Sequence, residues 1–297
     1  MSAVAMPVRP EPVERPEFER TPLDASKIGQ IERPLSVVEK LWNVQVVRNI
    51  AVVLMFVIAW ELYTKIANVQ PLLFPSFSDT VKALIQAFTD QKLMSKIWFT
   101  VQSLLIGYAV GLFAAAVLVS LASVWRVWSD ILMTATAMFN PLPSIALLPL
   151  AMLWFGLGTA SLVFILIHAV LWAVALNTFV GFQGVSHTQR MVGQNYGLRG
   201  VIFAVKILIP AALATVLSGM KIGWAFAWRT LIGAELIFGA TARGGGLGWH
   251  IFENAELLNT PQVFAGLFMI ILIGVVVEYV IFRTIEVRTV RRWGMQR

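Results

Sequence analysis

Cysteine is absent from this sequence of 297 residues. Disulfide bonds, thiolate metal ligands and cysteine nucleophiles are therefore excluded. The histidines are too scattered for metal-ligand spacing, and no two aspartates form a pair that could hold a metal. These absences argue against a metalloenzyme and against a membrane-embedded transferase with an acidic metal cluster. The residues concerned are His168, His187, His250, Asp24, Asp79, Asp90 and Asp130.

A nucleotide-binding motif is also missing. The phosphate-binding loop G-x-x-x-x-G-K-S/T holds phosphates with backbone amides and a lysine, but this chain has no Gly-Lys pair. The glycine-rich run GATARGGGLG at residues 239–248 lacks that lysine, and we expect it to form a tight turn at the outer mouth. No cofactor is therefore expected on this chain.

Charged residues are scarce, at 13% of the sequence, whereas 58% of the residues are hydrophobic. That balance predicts an integral membrane protein. Residues 97–125 and 131–189 contain no charged side chain, and both runs exceed the about 20 residues that one spanning helix needs. The net charge of +7 fits basic residues that orient spans in a lipid bilayer, so nucleic acid is not an expected partner.

The composition divides the chain into four regions. Residues 1–34 hold six prolines among alternating acids and bases, which predicts a disordered cytoplasmic tail. Residues 35–48 predict an amphipathic helix at the membrane interface, with Trp42 at headgroup depth. Residues 49–284 predict the transmembrane domain, and residues 285–297 a basic cytoplasmic tail. Within the domain, PSFSDTVKALIQAF predicts a surface helix capped by Ser78 or Asp79.

The predicted fold is all-α, with six transmembrane helices at about residues 49–66, 98–124, 131–155, 160–184, 211–238 and 262–283. The third span is expected to be irregular, because Pro141, Pro143 and Pro149 each remove a helix donor. Lys and Arg are far more numerous on one side of these spans than on the other. The positive-inside rule therefore places both termini and the loop at residues 186–210 in the cytoplasm.

The loop at residues 186–210 is amphipathic in its second half. Apolar residues recur there at helical spacing beside two basic residues, which predicts a short helix with one face on the membrane domain and the other toward a partner. Gly197 permits a sharp bend before this helix, and Pro210 can begin the next one. The apolar residues are Val201, Ala204, Val205 and Leu208, and the basic residues are Arg199 and Lys206.

The spacing in this loop resembles that of the permease subunits of bacterial ABC importers. Their pattern is E-A-A, three residues, Gly, nine residues, Ile, one residue and Leu-Pro. Here Gly197 precedes Ile207 by nine intervening residues, and Pro210 closes the pattern with isoleucine in place of leucine. The E-A-A positions hold Met191, Val192 and Gly193, which do not match.

Four further stretches are similar to the nitrate, sulfonate and taurine branch of that family. They are NPLPSIALLPLAMLWFGLGTAS, PAALATVLSGMKIGWAFAWRTLIGAELIFG, GGGLGWHIF and VRRWGMQR, and the similarity extends over roughly residues 73–297. The resemblance implies a non-catalytic subunit of an importer for a small anion in the bacterial inner membrane.

The resemblance also implies partners. Two cytoplasmic ATP-binding subunits would carry ATP and Mg, a second permease copy would complete the pathway, and an extracytoplasmic binding protein would deliver the substrate. A homodimer is expected, with a heterodimer as the alternative. The loop would couple the ATPase to the spans: Gly197, Leu198, Ile207 and Pro210 would shape it, and Asn195, Tyr196 and Arg199 would lie near the contact.

Ionisable groups inside spans cost on the order of 3 kcal/mol and usually face a cavity or a partner. The fifth predicted span carries Lys221, Arg229 and Glu235. One hypothesis is that they line the translocation path and that Arg229 attracts an anionic substrate; the alternative is that Arg229 pairs with Glu235 or Glu278.

In the fourth predicted span, His168 and Asn177 lie on opposite faces, so we expect one at most to face the path and the other to form a hydrogen bond to another helix.

A secondary transporter or channel that works without an ATPase is the alternative function.

Overall fold

The computed structural model describes residues 36–89, 92–238 and 245–291, and every regular element in these ranges is a helix. The all-α prediction is confirmed. The predicted tail at residues 1–34, residues 292–297 of the basic tail predicted at residues 285–297, and residues 239–244 of the glycine-rich run lie outside the described residues. Residues 285–291 of the predicted basic tail are helical. The α-helices are α1 Val37–Asn43, α2 Gln45–Ile66, α3 Phe77–Thr89, α4 Lys92–Val124, α5 Arg126–Phe139, α6 Leu148–Phe155, α7 Thr159–Gln183, α8 His187–Asn195, α9 Gly200–Phe203, α10 Ile209–Ala211, α11 Leu213–Phe238, α12 Leu247–Glu256, α13 Thr260–Val276 and α14 Arg283–Glu286.

Shorter helical turns join several of these helices. A 3-10 turn at Ser144–Leu147 precedes α6, and a π turn at Ala204–Leu208 joins α9 to α10. Two more π turns, Val277–Phe282 and Val287–Arg291, flank α14, so that the helical path continues from Thr260 to Val290.

Four helical stretches are long and apolar enough to cross a membrane: Gln45–Ile66, Leu93–Val124, Thr159–Gln183 and Thr260–Val290. Two bent pairs bring the number to six if each pair is one span. Arg126–Phe139 meets Ser144–Phe155 at 90°, and Gly200–Ala211 meets Leu213–Ile237 at 85°. The chain is thus a multi-pass membrane protein by length and composition.

The first bend lies where the sequence predicts an irregular span. Pro143 has extended backbone angles (φ −61°, ψ 118°), and Pro149 stands in the first turn of α6, where its missing N–H breaks no helical bond. The second bend lies at Ala212 (φ −99°, ψ 11°), directly after Pro210 and α10.

The described residues fall into two units, divided between Phe56 and Val57. In the first unit, α1 ends at Asn43, and Arg48 Nη1 donates a 2.7 Å hydrogen bond to the Trp42 carbonyl. The helix that contains the first span begins already at Gln45, so the last residues of the predicted interfacial helix belong to α2.

In the second unit, α7 packs between α4 and α11 through glycines. A Cβ at Gly107 of α4 would lie 2.5 Å from Leu166 Cβ, and a Cβ at Gly219 of α11 would lie 2.7 Å from Asn177 Cβ. Small residues let helix backbones approach closely where lipid supplies no hydrophobic driving force. These contacts make α4, α7 and α11 one tightly packed group.

The surface helix α3 is capped by Ser76, so the prediction of Ser78 or Asp79 is wrong by one turn. Ser76 Oγ accepts from Asp79 N at 3.1 Å. Ser78 instead lies in the first turn of the helix, where its backbone N–H donates to Glu61 at 3.1 Å. A carboxylate at this position is favoured by the helix dipole.

Candidate functional site

A cavity of about 290 Å³ lies between the bend after α5, the middle of α7 and the C-terminal half of α11. We call it the Arg229 cavity. Its apolar wall includes Phe139, Leu142, Ile145, Ala169 and Phe226. Its polar lining residues are Asn140, Ser144, His168, Trp172, Arg229 and Thr230.

Arg229 is held by its own helix. Its Nε donates to the Ala225 carbonyl at 3.1 Å, and its guanidinium carbon lies 5.5 Å from the centre of the Phe226 ring, within cation–π range. In the described part of the chain, no carboxylate lies within ion-pair distance of this guanidinium. The alternative of an ion pair with Glu235 or Glu278 is therefore not what the structure shows.

Hydrogen-bond donors surround this charge. His168 Nδ1 lies 3.0 Å from Ser144 Oγ, which bridges α7 to the turn before α6. Buried His168 Nε2 and Trp172 Nε1 have no hydrogen-bond partner within the described ranges. Since none of the lining residues is acidic, the cavity offers a cation and polar donors without a competing carboxylate. That chemistry suits a small anion.

The cavity lies in the outer half of the spans if the predicted topology holds. Arg229 stands about 24 Å along α11 from its first residue, and His168 stands about 14 Å along α7 from its first residue, at about 1.5 Å per residue. Because the predicted topology starts α11 at the cytoplasm and α7 at the outer side, both positions are nearer the outer side.

Lys221 lies outside this cavity, about 12 Å along α11. Its Nζ lies 2.9 Å from Glu286 Oε2 and 3.5 Å from Glu278 Oε1. Both carboxylates belong to the helical stretch Thr260–Val290. Lys221 therefore links the last two spans through ion pairs. One of its partners, Glu278, is a residue that the sequence analysis considered as a partner of Arg229.

Glu235 also lies outside the Arg229 cavity, and its predicted place on the path needs correction. Its side chain is only 2% exposed and accepts hydrogen bonds from Thr100 Oγ1 (2.9 and 3.0 Å) and Gly248 N (2.9 Å). Thr100 Oγ1 in turn accepts from Leu247 N at 2.8 Å. Glu235 and Thr100 together close the N-terminus of α12, so the carboxylate is engaged by the protein itself.

Asn177 packs against α11 instead of lining the cavity. Its Nδ2 donates to the Ala173 carbonyl of its own helix at 2.8 Å, so the expected hydrogen bond to another helix is not formed. Of the five residues predicted for the path, the structure brings His168 and Arg229 together and places Lys221, Glu235 and Asn177 elsewhere.

The segment at residues 186–210 forms two helical arms joined by a turn. Ser186 Oγ accepts from Gln189 N at the start of α8, and Gly197 follows α8 with a φ of +72°, which favours glycine. Leu198 N donates to the Gly193 carbonyl at 3.0 Å, which closes the turn. Asn195 and Tyr196 lie at this turn, Arg199 caps α9, and the second arm then runs through Ile207 to Pro210.

The two arms contact each other at Gly193. A Cβ there would lie 2.7 Å from Phe203 Cε2 and 2.8 Å from Ile207 Cγ1, so this position needs a small residue. On the second arm, Ala204 and Leu208 are buried, but Val201 and Val205 are 63% and 54% exposed. The predicted helix is present, and two of its four apolar residues are buried. Val201, although exposed, lies beside Val117 and Leu121 of α4.

Residues 107–286 match the model of the family described as binding-protein-dependent transport system inner membrane component. The chain belongs to this family. It is 27% identical to the taurine transport system permease protein TauC of Escherichia coli, over 79% of this chain and 86% of TauC. It is 24% identical to the putative aliphatic sulfonates transport permease protein SsuC of the same organism, over 73% and 81% of the two chains.

A further relative is the nitrate import permease protein NrtB of Leptolyngbya laminosa, which is 24% identical over 64% of this chain and 67% of NrtB. These comparisons confirm the resemblance to ABC importer permeases of the nitrate, sulfonate and taurine branch. The family is a transport component, so this permease is a non-catalytic subunit.

Sequence reasoning missed Arg190 in this permease. Its Nη2 donates to the carbonyl of Phe182 (2.5 Å) in the last turn of α7, and its Nε donates to the carbonyl of Val185 (3.2 Å), two residues after that helix ends. Terminal carbonyls of a helix lack partners within the helix, and a cation there also meets the negative end of the dipole. A basic residue within eight positions of a helix end is the only signal the sequence offered.

Proposed function

We propose that this permease is the membrane-spanning subunit of an ATP-driven importer and forms half of a pathway for a small anion. The substrate would be nitrate, a sulfonate, taurine or a related organic anion, delivered by an extracytoplasmic binding protein. Two separate cytoplasmic subunits would bind ATP and Mg and hydrolyse ATP, while this chain binds no cofactor. The complex would lie in the bacterial inner membrane.

The Arg229 cavity is the observation that supports a small anion as the substrate. Its cation is not neutralised by a carboxylate of the described chain, and its other polar groups can donate hydrogen bonds. A weak site of this kind lowers the cost of moving an anion through the low-dielectric interior without trapping it. The names of the relatives, which are permeases for taurine, aliphatic sulfonates and nitrate, support the same class.

We propose that a second copy completes the pathway. The lining of the Arg229 cavity comes from only three helices, α5, α7 and α11, and the bend after α5. We propose a homodimer in which two such cavities contribute to one path.

The exposed segment at residues 186–210 is our reason for proposing that a separate ATPase subunit supplies the energy for transport. The chain lacks a phosphate-binding loop, whereas this segment presents exposed apolar and basic side chains. We propose that it is the coupling element on which the ATPase subunit docks.

The Arg229→Gln variant tests the proposed path. We expect the complex to assemble normally and uptake to fall about tenfold, equivalent to about 1.4 kcal/mol of lost stabilisation of the anion. Arg229→Lys should retain part of the activity because it keeps the charge. Uptake of labelled substrate and copurification of the ATPase subunit would be measured together.

Arg126→Gln is the matched control, because Arg126 is exposed and lies at the other end of α5 from the lining residue Phe139, about 20 Å along the helix. Normal uptake by Arg229→Gln would remove Arg229 from the path. Uptake that continues without any ATPase subunit would instead identify a secondary transporter or channel.

A further inference from the structure

The segment at residues 186–210 contains no acidic residue, and no Asp or Glu occurs between Asp130 and Glu235. Its basic side chains are Arg190, Arg199 and Lys206. Arg190 already donates hydrogen bonds within the chain, to two carbonyls at the end of α7. Arg199 and Lys206 are exposed, and no carboxylate of the described chain forms an ion pair with either.

These two cations lie at two separate clefts. Arg199 lines a cleft of about 420 Å³ together with Gln194, Leu198 and Phe203. Lys206 lines another of about 320 Å³, together with Val192 and other residues of both arms. The clefts are distinct because their lining residues do not overlap, and the contact of Gly193 with Phe203 and Ile207 holds the two arms together. Each cleft thus combines an apolar wall with one positive charge.

The ridge beside these clefts is apolar. Tyr196 at the turn is 81% exposed, and Met191 and Val192 on α8 are exposed as well. Exposed apolar side chains with basic neighbours and no acidic ones are complementary to a surface of opposite charge. Two separate clefts, each with apolar side chains beside one cation, can receive side chains of a folded protein surface, which the even plane of lipid headgroups does not offer.

We propose that the cytoplasmic ATPase subunit binds this segment through an apolar groove with carboxylates at its rim, which pair with Arg199 and Lys206. This inference rests on the proposed function and specifies the partner's chemistry. With Met191 at the first position of the E-A-A pattern, the permease contributes no negative charge to the contact. All attraction between charges in the contact therefore comes from permease cations and partner carboxylates.

The test measures the affinity of the purified permease for its ATPase subunit in detergent or nanodiscs. For the wild-type protein, raising the salt from about 0.05 M to about 0.5 M should weaken binding about tenfold, because screening acts on exposed pairs. The Arg199→Gln/Lys206→Gln variant should bind about tenfold more weakly at low salt and lose most of the salt dependence. The Arg199→Glu/Lys206→Glu variant should bind on the order of a hundredfold more weakly.

Met191 gives the sharpest comparison. Met191→Glu introduces a charge that the proposed rim repels, so we expect binding about threefold to tenfold weaker, whereas the neutral Met191→Gln should bind like the wild type. Arg283→Gln/Arg288→Gln is the control for Arg199→Gln/Lys206→Gln, because it removes the same two charges from exposed residues outside the segment. It should leave the affinity unchanged.

The outcomes separate this inference from the proposed function. If the wild-type permease binds no ATPase subunit, the proposed function itself fails. If it binds one without salt dependence, or if Met191→Glu strengthens binding, the acidic rim is wrong and the proposed function stands. Loss of binding to vesicles with anionic lipids, with unchanged affinity for the ATPase, would assign Arg199 and Lys206 to the lipid surface and overturn the inference. The salt series needs no variant, so a misfolded mutant does not leave the question open.

Discussion

At the scale of single residues, Thr100 and Glu235 form a buried joint between three helices. Thr100 lies on α4, Glu235 on α11, and both bind backbone N–H groups at the start of α12. The two glycines beside the joint are required by space, because a Cβ at Gly246 would lie 2.1 Å from Glu235 Oε1 and a Cβ at Gly248 would lie 2.5 Å from the Ile232 carbonyl. Removing one partner leaves the others buried without a hydrogen bond.

Thr100→Val should therefore destabilise the permease by about 2 kcal/mol, within the range for leaving buried hydrogen-bonding groups without a partner. Valine keeps the shape of threonine and removes only the hydroxyl. Thr100→Ser keeps the hydroxyl and is the matched control, with most of the stability retained. The midpoint of denaturant-induced unfolding in detergent measures both variants, and equal midpoints for valine and serine would contradict this role of the hydroxyl.

His250 makes the stability of the region around α12 depend on pH. Burial, and secondarily the positive charge of Lys96, lower the pKa of His250 to about 4 from an unfolded value of about 6.5. Between these values the unfolded chain binds a proton that the folded chain does not. The contribution of neutral His250 is therefore fully present above about pH 6.5 and is lost as the pH falls toward about 4.

The groups that face His250 are Lys96, Glu253 and Asn254, and Lys96 forms an ion pair with Glu253. We expect the wild-type unfolding midpoint to fall between pH 6.5 and pH 4 more steeply than that of His250→Gln, which has no imidazole to protonate. Comparing the two proteins removes the contribution of the carboxylates that titrate in the same range. Parallel pH profiles would exclude His250 as the cause.

At the scale of elements, Arg190 ties the segment at residues 186–210 to α7. Without its guanidinium, the carbonyls of Phe182 and Val185 at the end of α7 lose a charged donor, and α8 loses a fixed angle to that helix. Because α7 carries His168 of the Arg229 cavity, this joint lies between the proposed docking site and the proposed path.

Arg190→Met should leave the complex assembled but reduce the amount of substrate imported per ATP hydrolysed severalfold, because motion of α8 would reach α7 less completely. Arg190→Lys should be intermediate, since it restores one charged donor. The ratio is measured in proteoliposomes with Arg283→Met as the control. A wild-type ratio in Arg190→Met would show that this joint has no part in coupling.

Much of the element order could be predicted from the sequence, because long apolar runs and prolines act locally. The break near Pro141 and Pro143 and the helical arm before Pro210 both follow from residues at the site itself. Which apolar residues of that arm are buried could not be predicted. The helical spacing of a residue such as Val201 is the same whether protein, lipid or a partner covers its side chain. Partners distant in sequence, such as Thr100 for Glu235, have no local signal either.

At the scale of the whole molecule, the absence of cysteine allows topology to be tested directly, since each introduced thiol is the only one. The positive-inside rule predicts that Ser2→Cys and Gln296→Cys are protected from a membrane-impermeant thiol reagent in intact cells. Ala255→Cys, on the exposed side of α12, should react. Labelling of either terminal cysteine before the membrane is opened would contradict the predicted orientation.

The helical arm at residues 200–211 and α11 meet at Ala212 at 85°; the first arm is about 18 Å long, and Arg229 lies about 24 Å along the second. When the two arms turn together as one rigid lever about Ala212, a displacement of about 1 Å at Gly200 rotates both by about 3° and moves Arg229 sideways by about 1.3 Å. A force perpendicular to the first arm is thus converted into a lateral movement of the Arg229 cation at the far end of the second.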